Sequence, residues 1–293
     1  MQDTGANTVY LNGDFLAADQ ARISPMDRGF LFADGVYEVI PAFNGVLFRL
    51  DAHLQRLERS LAEVSIANPH DRAGWRRLCE EMVAANGGGN LSVYLQITRG
   101  VADKRDHAFP DPPVAPTVFL TSAPIPVPAA DILHQTRGAA AITLADTRWA
   151  RCDIKSISLL PNILLRQHAV ASGAVEAVLL REGLVTEGAA SNVFTVHNGE
   201  VSTPPHSARI LGGITRDLVV ELCREHGIPV VEREIPEARL HDADEIWVSS
   251  STKDVVPITR LNDRPVGDGR PGATWKTLSR HYIQFKRRLC GLD

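Results

Sequence analysis

Apolar residues alternate with polar ones along much of the first part of the chain and then fall into helical spacing. The changes of period mark the elements. Val9-Tyr-Leu and Phe15-Leu flank Asn12-Gly13, and Tyr37-Glu-Val-Ile-Pro-Ala-Phe and Val46-Leu-Phe flank Asn44-Gly45. An Asn-Gly pair between apolar runs predicts a tight hairpin, because both turn positions need positive φ. Leu54, Leu57, Leu61 and Val64 then recur at helical spacing behind Asp51, which predicts a helix capped by Asp51 with an inward apolar stripe. His53 and Arg56, one turn apart, share a different face of that helix. A second helix is expected from Asp71 to about Ala85, stopped by Asn86-Gly-Gly-Gly. Strands over Leu91–Thr98 and Thr117–Thr121 follow, separated by a polar loop with Lys104, Arg105, Asp106 and His107.

The clearest seam is Ala123-Pro-Ile-Pro-Val-Pro-Ala, where alternating prolines favour an extended connector without regular hydrogen bonding. It divides the chain into an N-terminal domain over 1–123, a linker over 124–130 and a C-terminal domain over 131–293. Past the seam, strand patterns (139–145, 176–181, 193–197, 245–249) mix with helical ones near 161–173, 214–227 and 273–290. The class is therefore α/β in two domains. No glycine-rich dinucleotide fingerprint accompanies the alternation, so a Rossmann reading finds no support.

Composition narrows the function classes. The 293 residues suffice for two domains with a sizeable core. A net charge of −4 gives no support to a nucleic-acid partner. No apolar run approaches a membrane span, and the polar N-terminus carries no export signal, so a cytoplasmic protein is expected. The four cysteines are scattered without metal spacing, so free thiols and no metal site are expected.

The candidate chemistry centres on Lys155, set between Ile154 and Ile157 in Arg148-Trp-Ala-Arg-Cys-Asp-Ile-Lys155-Ser-Ile-Ser. An amine held among apolar side chains is a usable nucleophile and Schiff-base former. Further on come Thr186-Glu187-Gly188, read as a turn, followed by Ser191-Asn192. Then come Gly212-Gly-Ile214-Thr215, opening a helix, and Ser249-Ser250-Ser251-Thr252. An amine for an aldehyde, an anion for a ring nitrogen and a glycine-preceded helix start for a phosphate are what pyridoxal 5'-phosphate requires.

With these motifs, and with Asp27-Arg-Gly-Phe-Leu-Phe-Ala-Asp-Gly-Val-Tyr37-Glu, the chain resembles the fold-type IV pyridoxal-phosphate aminotransferases over essentially its whole length. Within them it resembles the D-amino acid aminotransferases. The resemblance implies a small N-terminal α/β domain and a larger C-terminal pseudo-barrel α/β domain. It makes Lys155 the cofactor-bearing catalytic lysine and Glu187 the partner of the ring nitrogen. Ile214, Thr215, Ser250 and Ser251 then face the phosphate, with Arg56 of His53-x-x-Arg56-Leu57 as its charged partner and Arg148 bonded to Glu187. Tyr37, Arg105 and His107 would bind the substrate's α-carboxylate, the Arg-x-His loop reaching the active site of a partner subunit, which implies a homodimer. The implied reaction is ping-pong transamination of D-alanine-like amino acids with a 2-oxo acid such as 2-oxoglutarate. Branched-chain L-amino acid aminotransferases share the fold but lack the Arg-x-His pair. Aminodeoxychorismate lyases share Lys155 and Glu187 but use the cofactor for elimination.

Overall fold

The computed structural model describes residues 7–126 and 136–292. The chain divides into two compact units, one comprising Met1–Val127, Ile154–Ser158 and Arg288–Asp293, the other Pro128–Asp153 and Leu159–Arg287. The expected linker falls in part on residues 127–130, outside the described residues. Its first member, Pro124, ends a strand, pairing with Leu91 at the end of a ladder, where proline's missing N–H costs nothing. Residues 154–158 pack with the first unit although they follow the seam.

The first unit is built on a six-stranded antiparallel sheet. Its strands are β1 (Thr8–Leu11), β2 (Asp14–Ala17), β3 (Gly35–Phe43), β4 (Val46–Leu47), β5 (Leu91–Thr98) and β6 (Thr117–Pro124), in the order β2-β1-β6-β5-β3-β4. Both Asn-Gly turns form as read, with Asn12 at φ 50° and Asn44 at φ 51°. Three helices accompany the sheet: α1 (Arg28–Phe32), α2 (Leu50–Glu63) and α3 (Arg72–Ala85). Leu54, Leu57 and Leu61 of α2 join Trp75, Cys79 and Met82 of α3 and Ile40, Leu95 and Ile97 of the sheet in one buried cluster.

One expectation about α2 fails. Asp71 does cap α3, accepting from Gly74 N, but α2 begins a residue before Asp51, its N-cap being Arg49 at φ 56° without a side-chain cap bond. Asp51 stands in the first turn. His53 and Arg56, on a different face from the apolar stripe, are buried as well, at 1% and 3% exposure. They are buried because an anion on β3 meets them there.

The second unit carries a sheet of ten strands: β7 (Ala139–Ala145), β8 (Glu176–Arg181), β9 (Leu184–Gly188), β10 (Asn192–His197), β11 (Glu200–Thr203), β12 (Val230–Glu232), β13 (Ile235–Pro236), β14 (Glu245–Ser250), β15 (Asp254–Leu261) and β16 (Arg264–Pro265). The path runs β12-β11-β10-β14-β15-β7-β8-β9-β13, with β16 paired to β15. Among its described residues the helices are α4 (Leu160–Ala171), α5 (Ile214–Glu225), α6 (Glu237–His241) and α7 (Ala273–Cys290). Parallel pairing of β7 with β8 is bridged by α4, and that of β11 with β12 by α5, the crossover that parallel strands require.

The Thr186-Glu187-Gly188 turn is corrected to a strand. These residues end β9, and the turn lies earlier, at Glu182 (φ 56°) and Gly183 (φ 75°). Among the described residues, no helix is long and apolar enough to cross a membrane. No cluster of His, Cys, Asp and Glu there could hold a metal ion, and all four cysteines are free and buried.

Candidate active site

In the first unit the site grows from the edge of β3. Strand β4 covers only the end of β3, at Ala42 and Phe43. The opposite end is left to the segment around Lys155. Tyr37 N donates to Lys155 O at 3.0 Å, Ile157 N donates to Gly35 O at 3.0 Å, and Val36 and Ser156 form an antiparallel bridge. Lys155 N donates to Ser60 Oγ of α2 at 3.3 Å, and Ile154 is buried in the core. Gly35 is required by this crossing, since a Cβ there would stand 2.5 Å from Ile97 O and 3.0 Å from Ile157 Cδ1. The lysine backbone is thus held on both sides, and its Nζ lies 4.1 Å from the centroid of the Tyr37 ring. Tyr37 in turn packs on Tyr94 at 5.6 Å. Burial pushes the Tyr94 phenol up to about 12, and it donates to Gln96 Oε1 at 2.6 Å.

Beneath Tyr37 lies Glu38, a residue the sequence reading passed over. It is fully buried, on the same face of β3 as Val36 and Ile40. Arg56 Nε and Nη2 donate to its two oxygens at 2.7 Å each, and His53 Nδ1 lies 2.8 Å from Oε2. Burial alone would raise the Glu38 carboxyl, but the Arg56 charge and the three bonds outweigh it and hold it well below the usual carboxylate range. Burial lowers the basicity of His53. The neutral ring then donates from Nδ1, since the carboxylate can only accept. The sequence did carry a signal: a glutamate at an inward position of an alternating strand needs a partner, and Arg56 and His53 are the cations of the covering helix.

The same unit carries the Arg-x-His loop. Arg105 and His107 are both exposed and flank one ring: the Arg105 guanidinium lies 4.8 Å from the centroid of Phe32, and the His107 ring lies 5.3 Å from it.

In the second unit the site is organised by Glu187 at the end of β9, 4% exposed. Arg148 Nη1 donates to Glu187 Oε1, while Asn192 Nδ2 (3.2 Å) and Leu211 N (3.0 Å) donate to Oε2. Arg148 spends its other nitrogens on Asp146, Nε to Oδ1 and Nη2 to Oδ2, each at 2.9 Å. Asp146 also accepts from Thr186 Oγ1 at 2.9 Å and pairs with Arg181 at 3.1 Å. Burial pushes the Glu187 carboxyl up to about 7 against the pull of Arg148, with Asp146 adding to the rise.

Asn192 ties this carboxylate to the phosphate candidates. Its Nδ2 donates to Leu211 O at 2.8 Å, its strand partner is Ser249, and its Oδ1 packs so tightly under Gly213 that a Cβ there would stand 1.9 Å away. Gly213 caps α5 without a side-chain bond, and the first N–H groups of the helix, at buried Ile214 and Thr215, lie beyond the reach of the helix's own carbonyls. Ser249 Oγ, buried, has no hydrogen-bond partner among the described residues. Ser250 and Ser251, both half-buried, continue from it.

Of the residues singled out from the sequence, Lys155, Tyr37 and Arg56 thus gather in the first unit with Glu38. Arg105 and His107 stand together on its loop. Arg148, Glu187, Ile214, Thr215, Ser250 and Ser251 gather in the second unit around Asn192. Asp146 and Glu38 were not among them, and Asn192 stood there only beside Ser191, without a role.

The amino-transferase class IV family model matches residues 35–261, a span holding all the residues of both sets. The chain belongs to the class IV aminotransferases. This aminotransferase is 39% identical over 270 residues to a D-alanine aminotransferase of Bacillus licheniformis, covering 92% of the chain and 94% of that relative. It is 38% identical over 283 residues to a D-alanine aminotransferase of Listeria monocytogenes, covering 97% of each. Among solved structures it is similar to a branched-chain amino acid aminotransferase of Thermoproteus uzoniensis with norvaline, with a TM-score of 0.84, 25% identity, and coverage of 98% of this chain and 96% of that one. A second branched-chain amino acid aminotransferase, solved with pyridoxamine 5'-phosphate, is similar at a TM-score of 0.87 and 26% identity, with coverage of 98% of this chain and 95% of that one. The two-domain α/β fold of type IV enzymes expected from the sequence is the fold observed. Pyridoxal 5'-phosphate is the cofactor of this class. The donor set here suits it: an amine on a clamped backbone, a buried carboxylate and an uncapped helix start.

Proposed function

We propose that this aminotransferase moves the amino group of D-amino acids of the D-alanine kind to a 2-oxo acid such as 2-oxoglutarate, in a ping-pong cycle. The bound cofactor supplies an aldehyde for amines and a ring that accepts electrons from the substrate's Cα. Lys155 would hold the cofactor through its amine, and that amine would move the Cα proton as base and acid. Glu187 would hold the ring nitrogen and favour its protonated form, with Arg148 fixing the carboxylate. The N–H groups of Ile214 and Thr215, the hydroxyls of Ser250 and Ser251, and Arg56 take the phosphate. Tyr37, Arg105 and His107 take the α-carboxylate.

The observation that carries the reading is the double clamp on Lys155. An amine anchored through its backbone to β3 and α2, with its chain over Tyr37, is built to be released and recaptured in one place. The D-specific part is supported by identities of 36–39% with relatives named D-alanine aminotransferases, and by the paired Arg105 and His107. Their exposure supports a homodimer in which each loop serves the neighbouring copy. So do the exposed apolar side chains of Phe30 in the first unit and Leu160, Ile163 and Leu164 in the second. Four free, buried thiols suit a reducing cytoplasm.

The test offers D- and L-alanine separately with 2-oxoglutarate and follows pyruvate. Turnover of D-alanine is expected. Preference for L-alanine or branched-chain L-amino acids would move the substrate to the branched-chain class, and product formed without an amino acceptor would indicate a lyase. Borohydride reduction of the holoenzyme is expected to leave the cofactor on the peptide carrying Lys155.

A further inference from the structure

The Arg105–His107 loop is held by a cation that the reaction itself does not use. Helix α1 is short but firmly seated: Asp27 accepts from Gly29 N at 2.7 Å, Thr98 Oγ1 at 3.0 Å and Thr117 Oγ1 at 2.6 Å. Arg28, the next residue, is only 4% exposed. Its Nε donates to Asp34 Oδ2 at 2.8 Å. Its Nη1 donates to the carbonyls of Asp106 (2.6 Å) and Ala108 (3.2 Å), and its Nη2 to that of His107 (3.3 Å). Three successive loop carbonyls therefore converge on one buried guanidinium. Asp34 is bound on its other side by Arg99, at 2.7 and 3.0 Å, and the Arg99 guanidinium lies 3.6 Å from the centroid of the Phe109 ring at the far end of the loop. Phe32, from the same helix as Arg28, stands between the side chains of Arg105 and His107.

A loop exposed to water has no need of a buried arginine to satisfy its carbonyls. What the arrangement does supply is a fixed place for two exposed side chains that would otherwise sample many rotamers, an entropy cost that substrate would have to meet on binding. We propose that Arg28, with Phe32, is a positioning residue that presents Arg105 and His107 in the geometry that binds the substrate's α-carboxylate, and so sets affinity for amino and oxo acids alike. This rests on the reading of Arg105 and His107 as the carboxylate-binding pair.

The test is a double-mutant cycle on the holoenzyme, with KM and kcat measured separately for D-alanine and 2-oxoglutarate. Lysine keeps the charge of Arg28 but cannot span Asp34 and three carbonyls. Arg28→Lys is expected to raise both KM values about tenfold, with kcat within about threefold and cofactor absorbance unchanged. Arg105→Met is expected to raise them about tenfold to a hundredfold. The double variant should raise both KM values by clearly less than the product of the two single effects, because a misplaced Arg105 that is already absent costs nothing more and only the misplacement of His107 remains. Effects of the two substitutions that multiply in full, or an Arg28→Lys enzyme with unchanged KM beside an impaired Arg105→Met, would overturn the positioning role and leave the carboxylate reading standing. Unaltered kinetics of Arg105→Met would overturn both. Should Arg28→Lys fail to accumulate as folded holoenzyme, the same cycle with the half-buried Phe32→Leu decides between these outcomes.

Discussion

Glu38 in the first unit and Glu187 in the second are the same side chain under the same degree of burial, at 0% and 4% exposure. Each faces an arginine, yet their surroundings drive them in opposite directions. Arg56 turns two nitrogens of its fork on Glu38, and His53 adds a third bond. Arg148 gives Glu187 a single nitrogen and commits its other two to Asp146. The first carboxyl is therefore held well below its ordinary range and is a permanent anion. The second, in which burial outweighs a shared cation, rises to about 7. Division of a guanidinium between two acids, rather than burial itself, separates a carboxylate held as an anion from one that takes up a proton near neutral pH.

The comparison breaks most visibly at Glu38. Glu38→Gln removes the anion that Arg56 and His53 face, and about 3–5 kcal/mol of stability is expected to go with it at pH 7. Denaturant midpoints of the two proteins measure this. Since the folded-state pKa is depressed, the contribution is complete above the ordinary carboxyl pKa and is lost only as pH falls below it. The deficit of the variant should therefore shrink in acid.

Glu187→Gln should behave differently. At pH 7 the acid stands about half protonated and the amide keeps one acceptor oxygen, so the loss of stability should be smaller than that of Glu38→Gln. The electrostatic support of the ring nitrogen is lost, however, and single-turnover Cα deprotonation should slow about a hundredfold. A variant as unstable as Glu38→Gln, or one with wild-type rates, would erase the distinction between the two sites.

A smaller effect lies in the pH dependence of the cofactor-free protein. The folded-state pKa of Glu187 is raised, so its contribution is complete below the ordinary carboxyl pKa and is lost as pH climbs through about 7. A decline of about 1–3 kcal/mol over that window is expected in the wild-type protein. It should be absent from Glu187→Gln when melting temperatures are followed against pH.

The smallest is Asp146→Asn. Removing the second acid frees Arg148 to pair more fully with Glu187 and removes an anion that raises it. The midpoint of that decline should move below about 7, and turnover should fall by no more than about tenfold. An unmoved midpoint would mean that sharing of the arginine is not what lifts Glu187.

Much of the frame was legible in the chain. Asn12-Gly13 and Asn44-Gly45 act through their own backbone geometry and Asp71 through a side-chain bond three residues on, so the two hairpins and α3 form where local chemistry places them. Alternation and helical spacing located the main strands and helices for the same reason. Where the reading missed, a distant partner decided. Thr186-Glu187-Gly188 resembles a turn in isolation but ends a strand because β8 pairs with it. Arg56 and His53 lie off the apolar stripe of α2 but are buried because Glu38, far away in sequence, meets them.

The sequence by itself determined the chemistry available: one lysine between two isoleucines, a carboxylate in Thr-Glu-Gly, a glycine-preceded helix start and an Arg-x-His loop. Those are residue identities and short spacings, readable without coordinates. The tertiary structure alone decided how cations are apportioned among acids: Arg56 to Glu38, Arg148 to both Asp146 and Glu187, and Arg28 to Asp34 and the loop carbonyls. A guanidinium has a fixed number of donors in a fixed plane, and which oxygens reach them depends on strands and helices that meet only in the folded protein.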